Sequence, residues 1–435
     1  MWLRSLFCVA ILLSSIVAQN YANDSAVKIF QQYIQINTTS GNDLTPAVNF
    51  WLKLATEQGL YTNVYWFTDG YPIVVIKWPG LNSTLGSIML NSHMDVVPAD
   101  ENDGWTYPPF SGYLDNNSVI WGRGAQDMKS VTIQYYEALK RLKARNITLL
   151  RDVYMTLMPD EETGAENGMV PFVASEEFKA LNVALELDEG TSYDLPVSPV
   201  FYQDKAVWQI RVDCHGVATH GSSFAVLNTT AIGKCSNVIN TFLALRDQEY
   251  EKSLGADITN SGSYTSINLN KINGGTANNI VPQIISLVFD VRLATTVNET
   301  LFEAQLREWI RQAGDNITLT FLQKDSQSPA TIVGAANPYW TAFSKAASTK
   351  GFIVLPTIPP GSTDARFMRS AGFPAFGFSP MPNTELLLHA VNERLSVKTF
   401  LAGIEVYEQI IYNLANLPGE ETSVDPSVYL YYTSQ

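Results

Sequence analysis

Several short apolar runs of this chain end directly in histidine or acidic residues. The runs at 88–91, 152–158 and 183–187 lead into SHMD, PDEE and DEG, respectively. Amphipathic helical patterns lie between the runs, most clearly at 128–145. Strands separated by helices form a sheet in which the loops after the strands meet at one edge. The sequence therefore predicts an α/β fold with imidazole and carboxylate groups gathered at the carboxyl ends of its strands.

The pattern changes near residue 205. From there to about 323 the chain shows a strand, a helix, two strands, a helix and a last strand, which is the ferredoxin-like order. A chain of 435 residues also exceeds one typical hydrophobic core. We therefore expect a mixed-sheet α/β domain, formed by 19–204 and 324–435, that carries an inserted ferredoxin-like α+β domain at 205–323.

The first eighteen residues form a separate segment. Arg4 precedes an apolar stretch at 6–17, with small residues near Ala18, which is the pattern of a cleaved secretory signal peptide at 1–18. The stretch is short for a membrane span, although an uncleaved anchor is the alternative, and no later segment predicts a span. We expect a secreted, extracellular glycoprotein because Asn-x-Ser/Thr sequons recur along the chain, at Asn23, Asn37, Asn82, Asn116, Asn146, Asn228, Asn298 and Asn316.

The cysteines leave one question open. Cys8 lies in the predicted signal peptide, so that Cys214 and Cys235 remain. An oxidising compartment permits a disulfide between these two residues, but two free buried thiols are the alternative. With two remaining cysteines and no CxxC pair, a cysteine-rich zinc site is excluded.

Charge and motif content exclude several classes of function. The net charge of −14 argues against a nucleic-acid partner, because phosphates require basic patches. No GxSxG motif predicts a serine nucleophile, and no cysteine is paired with a histidine in a catalytic pattern. GRGAQDMK lacks the third glycine of a dinucleotide-binding loop and the Gly-Lys-Ser/Thr of a phosphate loop.

Histidine is scarce, and two of the four histidines lie beside acidic residues. His93 and Asp95 share one side of an extended segment, and MPDEETG places Glu161 and Glu162 after a buried strand. A solvated acidic loop is the alternative for these carboxylates, but like charges at the end of a buried strand repel unless cations neutralise them. Imidazoles and carboxylates without thiolates suit zinc first, then cobalt or manganese. Adjacent Glu161 and Glu162 would then divide the roles of general base and ligand.

The ordered motifs resemble the aminoacylase family, which belongs to the dinuclear zinc aminoacylase/carboxypeptidase superfamily. They span about 26–414 and comprise SHMDVVP, GRGAQDMK, PDEETG, LDEG, GGTANNIVP, GSTDARFMR and GFSPMPNTELLLH. The resemblance implies that the mixed-sheet domain is catalytic and that the inserted domain is a lid that also forms a homodimer. It also implies a departure in location, because family aminoacylases are typically cytosolic.

The resemblance further implies a site for two Zn²⁺ ions, with Co²⁺ or Mn²⁺ as substitutes. His93, Asp127 and Asp188 would hold one ion. Asp127 would bridge to the second ion, which Glu162 and His389 would complete. A bridging carboxylate is typical of dinuclear sites in which bound water becomes hydroxide near neutral pH.

Roles in catalysis and substrate binding follow from the same resemblance. Asp95 would orient His93 through its free ring nitrogen, and Glu161 would be the general base that activates metal-bound water. Arg366 would pair with the substrate carboxylate, which a guanidinium can bind through two hydrogen bonds.

In the lid, His220 would reach the active site of a partner subunit and polarise the scissile carbonyl. Asn279 and Arg292 match lid positions near the substrate, although a structural role in a turn or strand is their alternative. His215 matches no functional position, and we expect it to be structural.

The resulting hypothesis is a secreted hydrolase that cleaves N-acyl-L-amino acids to a free L-amino acid and a carboxylate. The alternative within the same chemistry is a metallo-dipeptidase or carboxypeptidase. A catalytically silent binding protein of the same fold is disfavoured, because the five matching ligands and Glu161 are all present.

Overall fold

The computed structural model describes residues 21–419 and 425–431, so that the predicted signal peptide lies outside the described residues. The first compact unit consists of the described residues up to Tyr202 together with Thr331–Pro356 and Thr363–Tyr431. The second unit consists of Gln203–Ala330 and Thr357–Ser362. It is therefore longer than the predicted inserted domain at 205–323, because a short segment from the later part of the chain also packs within it.

The helices and strands follow one another along the described chain without a long irregular stretch. In chain order the helices are α1 (Ser25–Ile34), α2 (Thr45–Glu57), α3 (Lys129–Ala144), α4 (Met169–Val173), α5 (Glu176–Lys179), α6 (Ala231–Leu254), α7 (Glu299–Ala313), α8 (Pro338–Thr349), α9 (Ala365–Ser370) and α10 (Val397–Ala415). The strands are β1 (Tyr61–Thr68), β2 (Tyr71–Trp78), β3 (Ser87–His93), β4 (Tyr113–Leu114), β5 (Val119–Trp121), β6 (Val153–Met158), β7 (Val183–Asp188), β8 (Ser198–Phe201), β9 (Ala206–His215), β10 (Thr219–His220), β11 (Ser266–Gly274), β12 (Ile280–Val281), β13 (Ile284–Leu293), β14 (Ile317–Lys324), β15 (Ala330–Thr331), β16 (Val354–Thr357), β17 (Ala375–Phe378), β18 (Arg394–Ser396) and β19 (Leu430–Tyr431).

The first unit is built on an eight-stranded sheet with the order β1-β2-β6-β3-β7-β17-β8-β16. Its central strands β6, β3, β7 and β17 are parallel, whereas β1, β2 and β8 join it antiparallel. This arrangement confirms the predicted mixed sheet. Because β3, β6 and β7 are neighbours and run in one direction, the loops after them leave the sheet at the same edge.

Buried helices cover this sheet, and α3 is the most deeply buried of them. Its apolar face packs against α10, and Phe30 of α1 stacks on Phe400 of α10 with ring centroids 4.6 Å apart. Residues 25–58 were predicted as one helical region, but the structure has two helices. Lys129 donates hydrogen bonds to the carbonyls of Tyr33 and Ile36, and Thr39 pairs with Val96 in a β-bridge. These long-range contacts hold the chain away from helical geometry after α1.

The second unit contains a four-stranded antiparallel sheet with the order β11-β13-β9-β14. Helices α6 and α7 provide the β-α-β-β-α-β chain order, which confirms the predicted ferredoxin-like arrangement. Along β9 alternate side chains are buried, from Trp208 to Cys214, as the alternating sequence requires. Cys214 of β9 forms a disulfide with Cys235 of α6, at a Cα–Cα distance of 5.8 Å. The structure thus decides between the two alternatives for the cysteines.

None of the helices within 21–419 and 425–431 has the length and apolar character that crossing a membrane requires.

Candidate functional site

Three neighbouring parallel strands bring polar side chains to one edge of the large sheet. His93 is the last residue of β3, and Glu189 directly follows β7. Glu161 and Glu162 begin a short 3₁₀ turn after β6, which lies on the other side of β3. The sequence feature that predicted this edge, polar residues after apolar runs, is therefore found where expected.

Two irregular segments complete the cluster. Asp127 lies in the glycine-rich turn that leads into α3, and His389 lies in the loop between β17 and β18. His389 adopts a φ of +59°, in the left-handed region that non-glycine residues rarely occupy. Long-range contacts must therefore hold the main chain of this residue, because local preference does not.

The side chains meet through a carboxylate that faces two imidazoles. His93 Nε2 lies 3.2 Å from Asp127 Oδ1, and His389 Nε2 lies 3.1 Å from Asp127 Oδ2. His93 Nε2 is also 3.5 Å from Glu189 Oε2, and His389 Nε2 is 3.0 Å from Glu162 Oε2. One carboxylate whose two oxygens serve two separate imidazoles has the geometry of a bridging ligand.

Donor atoms also converge as two groups, each of which could hold a cation. His93, Glu161 and Glu189 each offer one atom within 4.8 Å of the others, and His93, Asp127 and Glu162 do the same. Most of these side chains are buried, so their charges are poorly screened by water. Such a concentration of carboxylates requires positive charge to neutralise it.

The histidines provide that positive charge in the protein alone. Hydrogen bonds to Asp127 and Glu162 raise the pKa of His389 to about 10. Burial opposes protonation of His93, but the charge of Glu189 and hydrogen bonds to Asp127 and Asp95 outweigh burial and raise its pKa well above the usual range. Burial likewise opposes ionisation of Asp127, yet its contacts with His389 and His93 hold its pKa below the ordinary value. A cation entering this site would displace the imidazole protons.

The remaining acids are destabilised as anions. Burial raises the pKa of Glu161 well above its usual value, and the charges of Asp364 and Glu162 raise it further, while His93 lowers it. Burial, followed by the charge of Asp127, also raises the pKa of Glu189 well above normal. Acids with strongly raised pKa values in a cluster of this kind are typical of a functional site.

The structure corrects one predicted ligand, Asp188. Its carboxylate accepts hydrogen bonds from the Asn91 side-chain amide at 3.1 Å and from the Ala365 main-chain amide at 2.8 Å. Glu189, which the prediction passed over, lies next to His93 instead. Adjacent residues at a strand end point in different directions, so only one of the two acids in LDEG can face His93. The longer glutamate, one residue beyond the strand, is the one that does.

The structure also refines the contact between Asp95 and His93. His93 Nδ1 lies 2.8 Å from the main-chain oxygen of Asp95, whereas the nearer carboxylate oxygen of Asp95 is 3.6 Å away. That carboxylate accepts hydrogen bonds from the Ser40 hydroxyl and from the main-chain amide of Glu161. Asp95 thus holds the ring through its carbonyl and holds the Glu161 turn through its carboxylate.

Arg366 is the predicted substrate-binding residue that belongs to the same unit. It lies in α9, and its Nη1 is 4.0 Å from Glu161 Oε1. The guanidinium also donates to the Thr363 carbonyl at 2.7 Å and lies over the Phe367 ring. These contacts orient a buried positive charge beside the candidate general base.

The three predicted lid residues belong to the second unit. His220 is exposed in β10, and Gly221 beside it donates to the Asn279 carbonyl at 2.7 Å. Arg292 on β13 forms hydrogen bonds with both carboxylate oxygens of Asp290, at 2.8 and 3.2 Å. His215 ends β9, and its carbonyl accepts a hydrogen bond from Lys234. The structural alternative is therefore observed for Arg292, whereas His220 and Asn279 share one exposed ribbon.

Sequence reasoning missed three further residues near this cluster. Glu189 had a visible signal, since it is an acid directly after a predicted strand. Arg123 and Glu393 had none, because a single arginine and a single glutamate in turns are common on protein surfaces. Both are buried and form an ion pair of 2.9 Å behind the cluster.

Comparisons with known proteins agree with this geometry. The model of Peptidase family M20/M25/M40 matches residues 89–413. Aminoacylase-1B of Rattus norvegicus is 41% identical over 394 residues, covering 90% of this chain and 96% of that protein. Aminoacylase-1 of Homo sapiens is 40% identical over 394 residues with the same coverage of both chains. Among solved structures, the M20 family metallo-carboxypeptidase Sso-CP2 from Sulfolobus solfataricus shares the fold, with a TM-score of 0.74 at 19% identity and coverage of 90% of this chain and 99% of that chain. The chain belongs to peptidase family M20/M25/M40.

Proposed function

We propose that the protein is a dinuclear zinc amidohydrolase that cleaves N-acyl-L-amino acids into a free L-amino acid and a carboxylate. One observation carries the proposal, namely that the two oxygens of Asp127 face two separate imidazoles, each of which also meets a further acid. The identity of about 40% to aminoacylase-1 proteins over nine-tenths of the chain supports the same class of substrate.

The residues present fit a pair of zinc ions. Imidazole and carboxylate donors are the ligands of catalytic zinc sites, and no thiolate contributes in the described residues. Glu162 Oε1 is buried and has no hydrogen-bond partner in the described part of the chain, as expected of an oxygen that serves a cation. His93, Asp127 and Glu189 would hold one ion, and Asp127, Glu162 and His389 would hold the other. When bound, such ions lower the pKa of water and polarise an amide carbonyl.

Glu161 is the candidate general base. Its carboxylate would accept a proton as water adds to the amide carbon, and would return that proton to the nitrogen of the leaving amino acid. The hydrogen bond from its main-chain amide to Asp95 fixes the turn at 3.1 Å. Burial keeps the carboxyl group away from bulk water, which favours proton exchange with the bound reactants.

Arg366 is the candidate anchor for the substrate carboxylate. A guanidinium binds a carboxylate through two parallel hydrogen bonds, which fixes the orientation of an acylated amino acid. The distance of 4.0 Å between Arg366 and Glu161 supports an anchor close to the group that moves the proton. Remote binding of this kind increases the rate by orienting the scissile bond.

The second unit is proposed as the lid and dimerisation domain. His220 would polarise the scissile carbonyl in a partner subunit, and Asn279 and Arg292 would lie near the substrate. Exposed apolar side chains close to His220 support an interface, since Phe224, Val226 and Leu227 are all largely exposed.

Secretion and glycosylation are also proposed. The disulfide between Cys214 and Cys235 supports an oxidising compartment. Every sequon asparagine is exposed except Asn82, which is half-buried, so that glycans are sterically accommodated.

Hydrolysis of N-acetylmethionine by the purified protein tests the proposal. The protein should release methionine, a chelator should abolish release, and zinc should restore it. The E161A variant should lose turnover by about 10²–10⁴-fold while it retains zinc, whereas E166A, which changes an exposed acid of the same loop, should remain active. Efficient cleavage of dipeptides without cleavage of acylated amino acids would replace this proposal with the dipeptidase alternative.

A further inference from the structure

The carboxylate of Glu393 is the centre of a buried hydrogen-bond network behind the candidate metal site. Oε1 accepts hydrogen bonds from the main-chain amides of Gln126 at 2.6 Å and Asp127 at 3.2 Å. Oε2 accepts from the main-chain amide of Gly124 at 3.0 Å and from Arg123 Nη1 at 2.9 Å. A single side chain therefore binds three amides of the turn that presents Asp127.

Arg123 extends this network to the loop of His389. Its Nη1 donates to the Ala390 carbonyl at 3.0 Å, and its Nη2 lies 3.3 Å from the His389 carbonyl. The Glu393–Arg123 ion pair therefore connects the amide of Asp127 to the carbonyl of His389. These are the two residues whose side chains meet at 3.1 Å in the site.

Gln126 provides a second, independent connection between the same two segments. Its Nε2 donates to the carbonyls of Glu385 and Arg394, both at 3.0 Å. Its Oε1 accepts from the Leu387 main-chain amide at 3.0 Å. The turn at 122–127 and the loop at 385–394 are thus joined on both sides of His389.

This network matters because neither Asp127 nor His389 lies within a helix or strand. Regular elements position His93, but the main chain of His389 is in the left-handed region and needs tertiary contacts to stay there. Groups that orient metal ligands typically change metal affinity by 10–100-fold when they are lost.

We propose that Glu393, acting with Arg123, is a positioning residue that sets the separation of Asp127 and His389 for cation binding. The proposal rests on the proposed function only in taking these two residues as ligands. Glu393 touches neither substrate nor cation in this role, because its four hydrogen bonds all go to the protein.

The E393Q variant tests the proposal directly. The new amide group has nearly the size of the carboxylate, but its nitrogen would face main-chain amides that also donate. In chelator-treated protein, we expect amide hydrogen exchange at 122–128 and 386–393 to become at least tenfold faster than in the wild type. Zinc affinity, measured by competition with a chelating dye, should fall by about 10–100-fold.

E137Q is the matched control. Glu137 is also a buried carboxylate of the first unit and pairs with Lys140 at 2.9 Å, but it lies on α3 away from this turn. Its substitution should leave both exchange at 122–128 and zinc affinity unchanged. Equal effects of E137Q and E393Q would show general destabilisation and would overturn the positioning role.

A second variant keeps the test decisive if E393Q does not fold. R123K preserves the positive charge but removes the fork that reaches the two carbonyls. It should accelerate exchange at 386–393 and weaken zinc binding, and wild-type values for both would refute the proposal. Exchange and zinc titration do not depend on the substrate, so a protein that fails to hydrolyse acylated amino acids would overturn the proposed function without deciding this inference.

Discussion

Loss of the Cys214–Cys235 disulfide should destabilise the second unit by a calculable amount. The bridge spans a sequence separation of 21 residues. Closing a loop of that length in the unfolded chain corresponds to about 3 kcal/mol at 25 °C. Both sulfur atoms lie in the core of the second unit, where Cys214 and Cys235 are fully buried, so reduction requires the unit to open.

The size of the melting shift also depends on how the units unfold. The second unit has about 130 residues, and its entropy of unfolding would be about 0.3 kcal/mol per kelvin. If the unit unfolds by itself, loss of the bridge should lower its Tm by about 10 °C. If the described chain unfolds in one transition, the same free energy should shift the Tm by only about 4 °C.

Calorimetry of the wild type and of C214A, C235A and C214A/C235A measures this effect. Each single variant already breaks the bridge, so the double variant should lose little more than either one. Reductant should lower the Tm of the wild type and leave that of the double variant unchanged. A loss below about 1 kcal/mol, or additive effects of the two single variants, would refute the loop-closure argument.

Three further predictions concern the site and the core. E189Q should bind one zinc ion fewer per chain, whereas D188N should retain the wild-type zinc content, and the opposite result in elemental analysis would restore the original assignment. R366K should raise KM for N-acetylmethionine at least tenfold, because an ammonium cannot bind a carboxylate bidentately; its effect should vanish for the corresponding amino-acid amide, and an equal effect on both substrates would contradict the role. F400A should cost about 3–5 kcal/mol of stability, because it removes a buried ring that stacks on Phe30; urea unfolding that shows a loss below about 1 kcal/mol would contradict the packing argument.

Local pattern predicted the strands that end in polar residues because each strand is a short, strongly apolar segment. The same reasoning failed for residues 25–58, where contacts of Lys129 and Thr39 with distant segments interrupt the helical pattern. It also chose Asp188 over Glu189, because two adjacent acids have the same composition and differ only in direction. Direction at a strand end depends on partners such as Asn91, which lies on a neighbouring strand.

The sequence by itself determined the class of fold, the ferredoxin-like order of the inserted unit and the kinds of donor that a cation would meet. Those features depend on periodicity and residue type within short segments. Only the tertiary structure decided that Cys214 pairs with Cys235, that Glu189 faces His93, and that Glu393 joins the turn of Asp127 to the loop of His389. Each of these depends on atoms that are far apart along the chain and come within a few ångströms only when the sheet and its helices pack.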